Sequence, residues 1–366
     1  MKPIEKKQIE TPVLLIDLDV LENNIKIMEN YFRNKKAKIR PHYKSHKCPV
    51  IAHKQIAAGA KGITCSKIGE AETLLNAGIK DIYIANQIVD PVKIIRLAGL
   101  AHSHSDVKIS VAVDNPKNVA DLSEAAVLFN SKIHVFVEVD VGMGRCGVNS
   151  SEETLALAKQ ITDSPGLVFE GIQAYEGHLV YTTENPGLTD EYRRTGVKKM
   201  IKKISKIKLA LKKKGINVKE ISGGGTGTYN ITGNNTIWTE IQAGSYVLMD
   251  SVYNRVGLVF KNSLTILSTI MHKRSGIAIA DIGLKTCTAE QGTPEIKDHS
   301  HLKVYKKLSE EHCLIKDPND ELEYGQKIEF IPSHCCTTVN LYEQFYCIRN
   351  GFLEAIWPIT GRGKSL

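Results

Sequence analysis

The sequence predicts an α/β protein, a (β/α)8 TIM-type barrel with a C-terminal all-β domain. Three observations carry this. Short β-branched runs alternate with amphipathic helical stretches across the first 250 residues, as strands and crossover helices of a parallel barrel do. Beyond about residue 255 the alternation stops, and "LTILSTIMHKRSGIAIADIG", "KIEFIPSHCCTTVNLY" and "QFYCIRNGFLEAIWPITGRG" read as β-strands with Gly and Pro turns. Polar and Gly-rich segments follow the predicted barrel strands, where such a barrel holds its chemistry.

The elements follow in order. Strands are expected at Ile39–His42, Ile63–Ser66, Ile82–Asn86, Lys108–Asp114, Val135–Asp140, Gly171–Glu176, Glu220–Gly223 and Thr239–Gly244. Helices are expected at 19–33, 50–58, 67–77, 91–101, 116–129, 151–163 and 189–214. The connection after Gly223 is rich in Gly, Thr and Asn and reads as a loop or a very short helix. The domains read as 20–255 for the barrel and 256–366 for the β-domain, with the strand at 11–19 as a candidate addition to the latter.

Composition narrows the class. The 366 residues are 42% hydrophobic and 24% charged, enough to bury a large core. No apolar run reaches ~18 residues, and "MKPIEKKQIETP" lacks a signal peptide's apolar segment, so a cytoplasmic protein without membrane contact is expected. Eight cysteines then read as thiols or ligands rather than disulfides. Much of the +8 net charge lies in residues 193–215. There Val197, Met200, Ile201, Ile204, Ile207 and Leu211 form one helical stripe with lysines between them. That is an outer barrel helix with a solvated face. No aromatic residue interleaves the lysines, which argues against nucleic acid.

Three segments concentrate chemistry. In "ISGGGTGTYN" (221–230) glycines let backbone amides approach an anion, and a late barrel strand is where such barrels hold phosphate; the simpler alternative is a flexible turn. In "IRPHYKSHKCP" (39–49) Lys44 can form a Schiff base with a carbonyl cofactor if nearby cations or desolvation lower its pKa; the alternative is a solvated lysine. In "IPSHCCTTVN" (331–340), read as a strand, His334 and Cys336 share a face and Cys335 points away. One imidazole and one thiolate make half a zinc site; the alternative is a buried thiol pair. "LSEEHC" (308–313) adds His312, for proton transfer or as part of an exposed acidic turn.

Together the segments "TPVLLIDLDVLENNI", "RPHYKSHK", "SKIGEAE", "VEVDVGMGRCGV", "GIQAYEGH", "SGGGTGTY", "QAGSYVLMD", "LSEEH" and "PSHCCTTVNLY" span nearly the whole chain. In this order they resemble the D-threonine aldolase and D-serine dehydratase family, pyridoxal phosphate enzymes of the alanine racemase-like fold (fold type III). The resemblance implies that Lys44 holds pyridoxal 5'-phosphate. It implies that Arg145 contacts the cofactor ring region, that Tyr175 lies beside the pyridine ring, and that Gly224, Gly225 and Thr226 form the phosphate-binding turn. Thr195 is the family match for a further residue beside the phosphate. His334 and Cys336 match the metal pair, for Zn²⁺ with Mn²⁺ or Mg²⁺ as alternatives, and the resemblance implies a homodimer. His46 and His312 are the candidates for handling protons.

The implied substrate is a D-3-hydroxy amino acid. Two outcomes diverge from it: β-elimination to a 2-oxo acid and ammonia, or retro-aldol cleavage to glycine and an aldehyde. Family aldolases tend to carry Asp where this chain has Cys336, and thiolate suits Zn²⁺, so a D-serine dehydratase-like activity is expected, with the aldolase as the alternative. A non-catalytic cofactor carrier of this fold is a barrel alone, and the β-domain with its His–Cys pair argues against it; a racemase, which needs a base on each cofactor face and no metal, is the second alternative.

Overall fold

A computed structural model describes residues 3–180, 189–305 and 307–366. The chain divides into two compact units. The barrel unit comprises residues 28–44, 51–244 and 364–366; the β unit comprises residues 1–27, 45–50 and 245–363.

The chain opens with strand β1 (Val13–Asp17) and helix α1 (Leu18–Phe32). β2 (Lys38–Ile39), α2 (Pro49–Ala57), β3 (Ile63–Cys65), α3 (Ile68–Asn76), β4 (Asp81–Gln87) and α4 (Pro91–Ser103) follow. Then come β5 (Lys108–Val113), α5 (Pro116–Leu128), β6 (Ile133–Glu138), α6 (Ser151–Asp163), β7 (Leu167–Ala174) and α7 (Asp190–Lys213). β8 (Glu220–Gly223), α8 (Tyr229–Thr232) and β9 (Glu240–Ile241) complete the barrel.

The eight strands β2–β9 form one parallel sheet in the order β2-β9-β8-β7-β6-β5-β4-β3. Its ends meet at one bridge, His42 to Thr64. Near-continuous apolar strands do this because both faces of a parallel sheet are covered: Ile82, Ile84, Val111, Val113, Val135 and Val137 are fully buried. The stripe on α7 packs inward through Val197, Met200, Ile204, Ile207 and Leu211, with Ile201 half-buried and most of its lysines in solvent.

The strand expected at Ile39–His42 ends at Ile39. Arg40 N and His42 N still donate to Ile241 O (2.9 Å) and Ala243 O (3.2 Å), and residues Tyr43–Ser45 then turn as a 3-10 helix. Lys44 therefore leaves the sheet on a turn rather than on an alternating strand. Just before it, Arg40 is almost fully buried and holds Asp81 in a fork of 2.8 and 3.1 Å and Glu240 at 3.0 Å. Gly62 makes room for it: a Cβ there would lie 2.4 Å from Arg40 Nη1.

In the β unit, α9 (Ser251–Asn254) precedes β10 (Leu264–Arg274), β11 (Ile277–Ala280), β12 (Glu295–Ile296), β13 (Lys303–Val304), β14 (Cys313–Lys316) and β15 (Lys327–Ile331). α10 (Cys335–Val339), β16 (Gln344–Arg349) and β17 (Phe352–Pro358) end it. The sheet runs β13-β14-β11-β10-β1-β16-β17, with β15 on β10 and β12 on β15. The strand expected at 11–19 is β1, antiparallel to β10 and parallel to β16. Residues 245–255 group with this unit because Ser251 N donates to Pro332 O (3.1 Å) and Cys335 N to Asp250 Oδ2 (3.0 Å). Residues 45–50 join it through Gly361 N, which donates to Lys47 O at 2.9 Å.

The strand expected through 331–340 is also corrected. β15 stops at Ile331, Pro332 follows, and residues Cys335–Val339 are helical with His334 as the N-cap residue. Helical geometry does not throw Cys335 to the opposite face from Cys336: their sulfurs are 3.9 Å apart. Among the described residues no helix is long and apolar enough to cross a membrane, and all eight cysteines are free thiols.

Candidate active site

In the barrel unit the centre of the cluster is Tyr175, which follows β7. Lys44 Nζ and the Arg145 guanidinium carbon each lie 5.8 Å from the centroid of its ring. Lys44 is half-buried; Arg145, on the exposed loop after β6, is open to solvent. The glycine turn after β8 reaches the same ring, since a Cβ on Gly225 would lie 3.5 Å from Tyr175 Cε2. Gly224 has φ +71°, a left-handed conformation that favours glycine, and a Cβ on Gly227 would strike Val180 at 2.4 Å. Thr226 is buried.

Glu176 was not among the residues singled out, yet it holds this turn. Its fully buried carboxylate accepts hydrogen bonds from Gly224 N (2.9 Å), Thr228 Oγ1 (2.8 Å) and Thr232 Oγ1 (2.6 Å). Burial raises its pKa above the ordinary carboxylate value, against those three donors. The Gly224 amide thus faces protein. Glu176→Gln sets an amide donor against the Gly224 N–H or strips an acceptor from the two hydroxyls. A loss of about 1–3 kcal/mol in stability is expected, read by denaturant unfolding. Cofactor retention in dialysis should fall with it if the turn binds phosphate; unchanged retention would separate the turn from the cofactor.

An amine, a guanidinium and a tyrosine ring beside a bare glycine turn suit a flat aromatic aldehyde that carries a phosphate, so these residues fit pyridoxal phosphate. Thr195 is exposed on α7. His46 is buried in the β unit, where its Nδ1 accepts the Cys48 N–H at 3.2 Å. His42 Nδ1 accepts the Lys44 N–H at 3.4 Å. His312 is exposed on the turn before β14.

In the β unit His334 and Cys336 come together. The Cys336 sulfur is within hydrogen-bonding reach of the His334 ring, and its thiol donates to Ser45 Oγ at 3.5 Å. The other side of the imidazole is held by a residue that sequence reasoning missed: His334 Nδ1 donates to Glu290 Oε1 at 2.8 Å, and Thr337 Oγ1 donates to the same oxygen. This assigns the proton to Nδ1 and leaves Nε2 as the donor atom for a metal. Burial pulls the His334 pKa down, but Cys336, Asp250 and Glu290 outweigh it and raise it to about 9. An imidazole nitrogen and a sulfur with a supporting carboxylate fit a soft divalent ion such as Zn²⁺.

A parallel barrel with a lysine beside a tyrosine ring and a glycine turn, followed by a β-domain, defines a pyridoxal phosphate enzyme of alanine racemase-like architecture. Residues 16–252 match the alanine racemase N-terminal domain, and residues 263–348 match the putative serine dehydratase domain. The chain is 39% identical to D-threonine aldolase of Arthrobacter sp over 98% of its length and 94% of that protein's. It is 35% identical to 3-hydroxy-D-aspartate aldolase of Paracoccus denitrificans (strain Pd 1222) over 99% and 94%. The crystal structure of D-threonine aldolase from Filomicrobium marinum matches with a TM-score of 0.94 at 32% identity, covering 100% of this chain and 99% of that one. The chain belongs to the D-threonine aldolase and D-serine dehydratase family of pyridoxal phosphate-dependent lyases.

Proposed function

We propose that the protein cleaves D-3-hydroxy amino acids by retro-aldol chemistry, to glycine and an aldehyde. One observation carries this reading: the identity of 35% and 39%, over nearly the whole chain, is to two aldolases named for such substrates. Cys336 and the serine dehydratase match over 263–348 favour a second reading, β-elimination to a 2-oxo acid and ammonia.

In this reading Lys44 Nζ supplies the amine that bonds the cofactor. Pyridoxal phosphate, when bound, supplies the electron sink for charge developing at Cα. Tyr175 would support the cofactor's aromatic ring. Arg145 adds a fixed positive charge near the Tyr175 ring, and Glu176 keeps the glycine turn in shape. His334 Nε2 and Cys336 Sγ are the protein donors for the metal, which when bound supplies Lewis acidity toward the substrate hydroxyl. Glu290 holds the imidazole in the ligating tautomer. We also take the enzyme to be a homodimer, and eight free thiols suit the cytoplasm.

The test is product analysis on D-threonine, D-3-hydroxyaspartate and D-serine, with and without chelator. D-Threonine should yield glycine and acetaldehyde, with turnover falling at least tenfold on chelation. Stoichiometric 2-oxobutyrate and ammonia would replace the aldolase reading with the dehydratase one. Absence of all these products from holoprotein would defeat both.

A further inference from the structure

The segment "DHSH", residues 298–301, takes no part in either cluster above. It lies in the β unit between β12 and β13. Leu302 N donates to His299 O at 2.9 Å and closes a turn there. The two imidazole centroids stand 6.1 Å apart. A second loop, between β14 and β15, brings Glu321 against them: His301 Nε2 is 2.8 Å from Glu321 Oε2. One donor atom from each of His299, His301 and Glu321 lies within 4.8 Å of the other two.

The arrangement is held from behind. Leu302 and Leu322, each beside a donor residue, are buried at 2% and 0% exposure. Asp317 is fully buried and accepts the Glu321 N–H at 2.8 Å and the Leu322 N–H at 3.0 Å, which fixes the backbone under the carboxylate. Asn319 Nδ2 donates to Glu321 Oε1 at 2.9 Å and leaves Oε2 toward the imidazole. A surface ion pair needs only one imidazole. Here a second one converges on the same carboxylate, and the carboxylate is oriented by its own loop.

We propose that His299, His301 and Glu321 bind a first-row divalent transition ion, Zn²⁺ or Ni²⁺, distinct in its ligands from the His334–Cys336 pair. Two imidazoles and one carboxylate suit these ions, whereas Mg²⁺ and Ca²⁺ prefer oxygen ligands throughout. Bonds of about 2.0–2.2 Å place tetrahedral donors about 3.3–3.5 Å apart, so modest rotation of exposed side chains closes the site. Water completes the shell. The ion replaces the proton shared by His301 and Glu321 and ties residues 299–301 to the loop 317–322. Its expected effect is to stabilise the β unit, without a part in turnover.

The experiment uses tag-free holoprotein stripped with chelator, then titrated with Ni²⁺ alone, Zn²⁺ alone and, as a control, Mg²⁺. Cys336→Ala protein should still bind one equivalent of Ni²⁺, and its melting temperature should rise with the ion. Adding His301→Ala or Glu321→Gln should weaken that binding at least tenfold and remove the thermal shift, and Mg²⁺ should act on none of them. In the wild-type background Glu321→Gln should leave lyase turnover unchanged. Equal Ni²⁺ binding by Cys336→Ala and Cys336→Ala/Glu321→Gln proteins, or none by the former, overturns the proposal. Because the readout is ion binding in protein without Cys336, failure of the lyase reading would leave this result intact and interpretable.

Discussion

Lys44→Ala is expected to remove the yellow absorbance of the dialysed holoprotein and to lower turnover by at least about 10³-fold. Its effect is the largest because the guanidinium beside the same ring cannot substitute for it. Lys44 Nζ and the Arg145 guanidinium stand at equal distance from the Tyr175 ring. A guanidinium stays protonated and does not attack a carbonyl, so Arg145 cannot take over. Lys44→Arg should therefore be as inactive as Lys44→Ala while keeping the charge, which separates bond formation from electrostatics. Visible absorbance retained by Lys44→Ala after dialysis would show that another amine carries the cofactor.

The second large effect is expected at Cys336. Cys336→Ala should lose the metal in dialysis and lower turnover by about 10² or more, while Cys335→Ala keeps both. The two sulfurs are 3.9 Å apart, so proximity does not distinguish them. Their surroundings do. Cys335 is fully buried and its amide is bound by Asp250, whereas Cys336 is half-buried and lies within reach of the His334 ring. Glu290→Gln keeps both metal donors and loosens only the imidazole, so about a 10–100-fold loss of metal affinity is expected. Equal metal loss from Cys335→Ala and Cys336→Ala would remove the ligand assignment.

The barrel was legible because its signals are local. α6 matches the expected 151–163, where Ser150 caps the Glu153 amide and Glu153 reaches back to the Ser150 amide. β8 likewise matches at Glu220–Gly223, where an apolar strand end meets glycine. The run after Pro332 misled for an equally local reason. Thr337, Thr338 and Val339 are β-branched and favour strand, but a single helical turn lets Thr338 meet the Thr288 hydroxyl at 3.0 Å and Thr337 meet Glu290. Glu290 itself lies 44 residues from His334, and no local pattern links them. Glu176 stood inside a segment already marked for chemistry, yet a lone Glu at a strand end reads as solvated. Only the approach of residues 224, 228 and 232 makes it a buried acceptor.

Arg40 carries a consequence for how such a sequence can drift. Its guanidinium answers to Asp81 and Glu240 and occupies the space beside Gly62, so four positions scattered over 200 residues form one unit of inheritance. Losing Arg40 leaves the buried Glu240 carboxylate to Lys61 at 3.4 Å and costs about 3–5 kcal/mol, and a Cβ at position 62 crowds the guanidinium, whereas exchanging the charged members together for apolar side chains is nearly neutral. Single steps are blocked and concerted ones are open. Positions 40, 62, 81 and 240 should therefore persist or vanish as a block among descendants of this barrel, whatever becomes of the lysine four residues further on.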